Sequence, residues 1–247
     1  MPDLKVQIDQ NRLISGQYGP VTFGPWGVEA SDRHSFLTLD DNSRDITQTG
    51  QDYQFRQGLW HLDYQTAFDP DDQSLCIRAR FTARVASPLQ DAVIRLVFDK
   101  SSIDHGIIAG KCIRHTNSDK YRLHPVPNVT LQAGSHRITV TLDHADGAGR
   151  FSPFMYLRDR DDHWIIHARL LPHAPIDDIW LRWANRFFTL SCPNALARTI
   201  WHLPGGKALF WRLREKWGRH APEIQAVPLN IIPAGHSLAL EVTCRFH

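Results

Sequence analysis

The segment LCIRARFTARV, residues 75 to 85, alternates apolar and polar side chains along its length, and this alternation limits the fold more than any other feature. Successive side chains of a strand point to opposite faces, so Leu75, Ile77, Ala79, Phe81, Ala83 and Val85 fall on one side. Arg78, Arg80, Thr82 and Arg84 fall on the other. On a helix the same residues would scatter around the axis; as a strand they give one face to a core and one to solvent or to a ligand. The pattern recurs in DAVIRLVFD (91 to 99), GIIAGKCIRH (106 to 115), KYRLH (120 to 124), HRITVTLD (136 to 143), SPFMYLR (152 to 158), HWIIHARLL (163 to 171) and HSLALEVTCRF (236 to 246). HSFLTLD and LWHLDYQTAF read similarly, and strands are expected near 178 to 183 and 186 to 191. Repeated short strands separated by Asp, Asn, Gly and Pro predict an all-β fold: an antiparallel β-sandwich, supersandwich or jelly roll. Neither a linker nor an internal repeat interrupts the chain, so one domain over 1 to 247 is expected.

One stretch departs from period two. GGKALFWRLREKWGRH, residues 205 to 220, places Leu209, Phe210, Leu213 and Trp217 at helical spacing between glycines, which predicts a short basic helix near the C-terminus. The remaining properties mostly exclude. A composition of 42% hydrophobic and 22% charged residues leaves enough apolar surface for a core and argues against a disordered chain. The start, MPDLKVQIDQNRLISG, has no apolar run behind a basic one, and no spanning-length apolar segment occurs, so the chain is expected in the cytoplasm. Cys76, Cys112, Cys192 and Cys244 are widely separated and form no C-x-x-C pair, so they read as reduced core thiols. Acidic residues outnumber basic ones up to Asp72, leaving the later part basic. No recognition-helix, RNP-like or zinc-finger pattern accompanies that bias, and no nucleic-acid partner is expected.

The basic part contains the segment with the densest chemistry, YLRDRDDHWIIHARL, residues 156 to 170. Read as two strands around a loop of residues 159 to 162, it sets Arg158 opposite His163, Tyr156 opposite Ile165 and Phe154 opposite His167. Met155, Leu157, Trp164, Ile166, Ala168 and Leu170 then form the core side. Phe154, Tyr156, Arg158, His167 and Arg169 form the other. Arginine grips planar anions through paired N–H groups, and an aromatic ring stacks on the apolar face of a sugar, so this face suits a hydroxyl-rich or carboxylate-bearing ligand. The same arginines equally suit pairing with Asp159, Asp161 and Asp162, or a solvated surface. Arg78 and Arg80, with Arg84, Arg137 and Arg122, extend the question: a basic groove arises only if their faces converge on one sheet.

Metal and nucleophile motifs are missing. His163 and His167 are four residues apart, about 13 Å along a strand, too far to share an ion, and H-E-x-x-H does not occur. The G-x-S-x-G elbow and the phosphate-binding glycine loops are also absent, so neither metal nor cofactor is expected. Of the eight tryptophans, Trp26 lies in the Gly-rich aromatic stretch YGPVTFGPWGVEASDRHSF, where Tyr18, Phe23 and Trp26 are candidates for the rim of a cleft or for core. In GLWHLDYQTAF, Trp60, Leu62, Tyr64 and Thr66 share one face; His61, Asp63 and Gln65 share the other.

The tail PEIQAVPLNIIPAGHSLALEVTCRF resembles the end of the aldose 1-epimerases, the galactose mutarotase-like family, in which a Glu-x-Gln-like stretch precedes a Pro-Gly turn and a closing strand. The resemblance covers about the last twenty-five residues and implies a β-supersandwich with Glu223 as the general base toward an anomeric hydroxyl. It also implies a partner histidine. The family's Asn-His-x-Tyr-type motif is not present, and His236 stands in the turn IPAGHS where an acid is usual, so His105 in SIDHG and His124 in YRLHP are the substitutes.

A carbohydrate-binding or carbohydrate-modifying sandwich is therefore expected, with an acidic sugar or polysaccharide as ligand and Tyr156, Arg158, His167 and Arg169 at the site. The rivals are a mutarotase-like enzyme built on Glu223, and a peripheral membrane or protein-interaction scaffold. In the latter, Lys207, Arg212, Lys216 and Arg219 of the basic helix meet an anionic surface.

Overall fold

The computed structural model describes residues 3–32, 34–40, 42–114, 122–160, 162–172, 203–205 and 230–247. The first strands are β1 (Leu4–Ile8), β2 (Ile14–Tyr18), β3 (Val21–Ser31), β4 (Phe36–Thr38), β5 (Thr47–Thr49), β6 (Asp52–Phe55), β7 (Gly58–Asp69), β8 (Ser74–Ala83) and β9 (Ser87–Leu89). They are followed by β10 (Asp91–Asp99), β11 (His105–Ile108), β12 (Lys111–Arg114), β13 (Arg122–His124), β14 (Asn128–Ala133) and β15 (His136–Asp146). The last are β16 (Phe151–Arg160), β17 (His163–Pro172), β18 (Asn230–Ile232) and β19 (Ser237–Phe246). No helix occurs among the described residues. The basic segment 207–219 and the strands expected near 178–183 and 186–191 lie outside them.

Two antiparallel sheets face each other. The first has eight strands in the order β1-β2-β3-β10-β17-β16-β13, with β4 also pairing β3; the second has nine, in the order β12-β11-β14-β15-β19-β8-β7-β6-β5. Their inner faces form one apolar core that joins Val28, Ile94, Ile166 and Leu157 of the first sheet to Leu62, Phe81, Val140 and Val242 of the second. The protein is thus an all-β, sandwich-like assembly of antiparallel sheets, as the period-two segments require. In β8 the residues Leu75, Ile77, Ala79, Phe81 and Ala83 are buried while Arg78 and Arg80 are exposed. Val85 lies two residues past the strand end and is 48% exposed, so the alternation outruns the strand.

Local chemistry explains where the sequence pattern misleads. GIIAGKCIRH forms two strands, because Ala109 (φ 49°) and Gly110 (φ 71°) both adopt the left-handed region that a two-residue hairpin turn demands. The stretch VTFGPWGVEAS has the glycines and proline of a loop, yet it is the long central strand β3. Between Arg95 and Phe98 of β10 its register shifts: the partners run from Gly27 back to Phe23, one residue more than on β10. Pro25, which has no N–H to donate, sits in that bulge. On the neighbouring strand a Cβ at Gly16 would collide with the Lys5 carbonyl and the Phe23 ring, so only glycine lets β2 lie under Phe23.

Tyr18, Phe23 and Trp26 belong to the core and do not rim a cleft. Trp26 is wholly buried, its ring 4.5 Å from that of Phe23 and 5.2 Å from that of Phe98, and its indole Nε1 donates to the Val97 carbonyl at 2.8 Å. Burial of so large a ring with its single donor satisfied contributes to the fold and leaves no face for a ligand. Among the cysteines, Cys244 is buried, Cys76 half-buried and Cys112 exposed, because Cys112 sits on the two-stranded rim of the second sheet.

Candidate functional site

In the hairpin β16–β17 Arg160 pairs with His163, so the register differs by two residues from the one expected: Tyr156 pairs with His167, Phe154 with Arg169 and Arg158 with Ile165. The shift is by two, and strand side chains repeat every two residues. Each side chain therefore keeps its predicted face. Met155, Leu157, Trp164, Ile166, Ala168 and Leu170 point into the sandwich core, and Tyr156, Arg158, His167 and Arg169 point away from it.

That second face continues onto β10 and β3. One row across the sheet runs Glu29, Val93, Arg169, Phe154; the next runs Gly27, Arg95, His167, Tyr156. Asp91 and Ser31 form the end of a third. Although these residues lie opposite the core, they are largely withdrawn from water: Tyr156 is 1% exposed, Arg158 7%, Arg169 8% and Asp91 6%. Charges so placed must be compensated. Arg169 Nη2 donates to Asp91 Oδ2, Asp91 Oδ1 accepts from the Ser31 hydroxyl, and Arg95 Nε lies 3.3 Å from Glu29 Oε1.

Two groups remain chemically poised. Burial pushes the Glu29 carboxyl up to about 7, against the opposing pull of Arg95, while Asp91 and Asp40 add to the rise and Arg169 to the pull. Burial also holds His167 well below the usual imidazole range, and the guanidinium groups of Arg169, Arg95 and Arg158 push in the same direction. His167 is accordingly neutral. Its ring lies 5.1 Å from that of Tyr156, and neither ring nitrogen has a hydrogen-bond partner among the described residues.

Glu29, Asp91 and Arg95 complete this cluster without having been expected in it. Glu29 was hidden in the Gly- and Pro-bearing stretch that reads as a loop. A signal for Arg95 did exist: DAVIRLVFD is apolar on both faces apart from that arginine and its ends, and a strand buried on both faces forces an internal charge to find a partner.

The other candidate residues lie elsewhere. Arg78 and Arg80 project from the outer face of the nine-stranded sheet, across the core from the cluster, so the arginine faces do not converge. There Arg78 Nη2 pairs with Glu241 Oε1 at 2.9 Å, and Arg80 stands opposite Asp63, on a solvated face that also carries His61 and Gln65. Changing Arg78 and Arg80 to Gln should leave the urea unfolding midpoint unchanged within error, since exposed pairs in water contribute little; a clear drop would show a structural role. His105, on β11, borders a cleft with Asp99, Asp104 and Arg114. His124 pairs with Met155 across β13 and β16, which puts it on the core-facing side of the sheet, away from Tyr156. Partial burial and Lys111 lower its pKa. Glu223 lies outside the described residues, as do Lys207, Arg212, Lys216 and Arg219.

Among the described residues no group of three or more His, Cys, Asp or Glu side chains is placed to hold a metal ion, and no helix is long and apolar enough to cross a membrane. Fold and cluster together define an antiparallel β-sandwich with a withdrawn, arginine-rich polar face. No protein-family model matches the chain, and no curated protein matches it.

Proposed function

We propose that the protein binds an acidic carbohydrate on the face of the eight-stranded sheet that carries Arg95, Tyr156, Arg158, His167 and Arg169. The observation that supports this reading is the half-buried imidazole of His167, neutral, with both nitrogens withdrawn from solvent and without a hydrogen-bond partner among the described residues, amid three guanidinium groups. A neutral imidazole has one N–H donor and one acceptor nitrogen. It is satisfied by a ligand that brings both a donor and an acceptor, as sugar hydroxyls do, whereas a simple anion can meet only the N–H. The neighbouring guanidinium groups favour a ligand that also bears negative charge, which a uronate carboxylate supplies.

The test is His167→Phe, which keeps an aromatic ring and removes both nitrogens. Unpartnered buried polar atoms destabilise a fold, so the variant is expected to unfold at an equal or higher temperature than wild type. At the same time, calorimetric titration with glucuronate should show affinity reduced by about tenfold, with glucose and acetate each binding wild type more weakly than glucuronate. Equal glucuronate affinity in both proteins would overturn the proposal.

A further inference from the structure

We propose that a separate site in this protein takes a neutral, hydroxyl-rich ring of hexose size: a polar cavity of about 330 Å³ lined by Gln10, Asn11, Arg12, Asp40, Gln48 and Tyr53. It lies where the turn between β1 and β2 meets the connection from β4 to β5 and the strand β6. The inference goes beyond the acidic-sugar reading and does not rest on it, since no residue is shared with the arginine-rich face.

Arginine 12 is the fixed element of the cavity. The turn that carries it is closed by Leu13 N donating to Asp9 Oδ1 at 2.8 Å and by Arg12 N donating to the Asp9 carbonyl at 3.0 Å, with Arg12 itself at φ 64°. A long side chain in an uncommon backbone conformation is here tied at its tip. Nη1 donates to the Tyr64 carbonyl at 3.1 Å, and the guanidinium carbon lies 5.5 Å from the centre of the Tyr64 ring. Its remaining N–H groups are thus held in place before any ligand arrives, which lowers the entropic cost of binding.

The rest of the lining offers donors and acceptors together. Gln48 spends Nε2 on the Gly50 carbonyl at 2.9 Å, leaving its amide oxygen, and Asp40 accepts the Asn42 N–H at 2.9 Å through one oxygen, leaving the other. Gln10 and Asn11 each add a donor and an acceptor. Ser43 is excluded as a contact because its hydroxyl both accepts from Thr38 N at 3.0 Å and donates to Thr38 O at 2.7 Å. A hydroxyl donates and accepts in turn, so a polyol ring matches this mixture. A phosphate or carboxylate, with acceptors only, would set oxygen against oxygen at Asp40 and Gln48. Charge makes the same choice, since Arg12 and Asp40 cancel within the cavity. Its volume lies near the lower limit of small-molecule sites, about 300 Å³, enough for one sugar ring.

Saturation-transfer NMR with glucose, galactose and mannose tests this on the full chain. Wild type should transfer saturation to at least one hexose, and Gln48→Ala, an exposed residue whose loss should not disturb the thermal midpoint, should reduce that signal by about fivefold or more. Arg12→Ala should abolish it, and if that variant does not fold, Gln48→Ala decides alone. His167→Phe should leave it intact. No transfer to any of the three sugars in wild type would overturn the proposal. So would a signal that survives Gln48→Ala, or one lost only in His167→Phe, which would put neutral sugars on the sheet face instead. Glucuronate binding without hexose transfer would sink this site and spare the other.

Discussion

Asp91→Ala should destabilise the protein by about 3–5 kcal/mol, measured by urea unfolding near neutral pH. Asp91 is 6% exposed and receives hydrogen bonds from both Arg169 Nη2 and the Ser31 hydroxyl. Removing the carboxylate withdraws the anion from a guanidinium that is itself 8% exposed, and bulk water cannot easily replace it. The desolvation cost of Arg169 stays while the attraction of Asp91 that helped offset it is gone. A double variant, Asp91→Leu with Arg169→Met, should cost less than Asp91→Ala alone, because no buried charge is then stranded. A loss below about 1 kcal/mol in the single variant would mean that Arg169 draws its compensation elsewhere.

Glu29→Gln should change how stability depends on pH. The Glu29 carboxyl sits at about 7 in the folded chain against an ordinary 4.5, so over that interval the folded state holds a proton that the unfolded state has released. Stability therefore falls as pH rises from the lower value through the higher, and levels off above it. Glutamine is neutral throughout. The two proteins should unfold alike near pH 4.5, and by about pH 8 the variant should be the more stable by on the order of 3 kcal/mol. His167 acts in the opposite direction. Its depressed pKa makes the unfolded state the better proton acceptor below the ordinary 6.5, so its contribution is lost as pH falls from there. In wild type the two slopes oppose each other, and Glu29→Gln should expose the acid-side loss due to His167. Parallel pH profiles for wild type and variant, followed by urea unfolding, would show that Glu29 is not burdened by burial.

The same residues show how far a sequence reaches. In the hairpin β16–β17 the register was misjudged by two residues, yet Tyr156, Arg158, His167 and Arg169 were assigned their correct face, because parity survives an even shift. Glu29 was out of reach. Its strand has the glycines and proline of a loop, and the packing of Phe23 over Gly16 and the bulge at Pro25 that make it a strand depend on β2 and β10, distant in sequence. Arg78 and Arg169 illustrate the other limit: both alternate with apolar neighbours, but one faces water beside Glu241 and the other is withdrawn beside Asp91.

Alternation alone, a property of consecutive residues, determined the all-β class, most strand positions and the side of each strand on which a residue lies. Strand order is not written in any local window, since it follows from which apolar faces bury one another across the chain. Only that order carried Glu29, Asp91, Arg95, His167 and Arg169 onto adjoining strands of one sheet, left Arg78 and Arg80 across the core on the other, and so decided which charges lose their water.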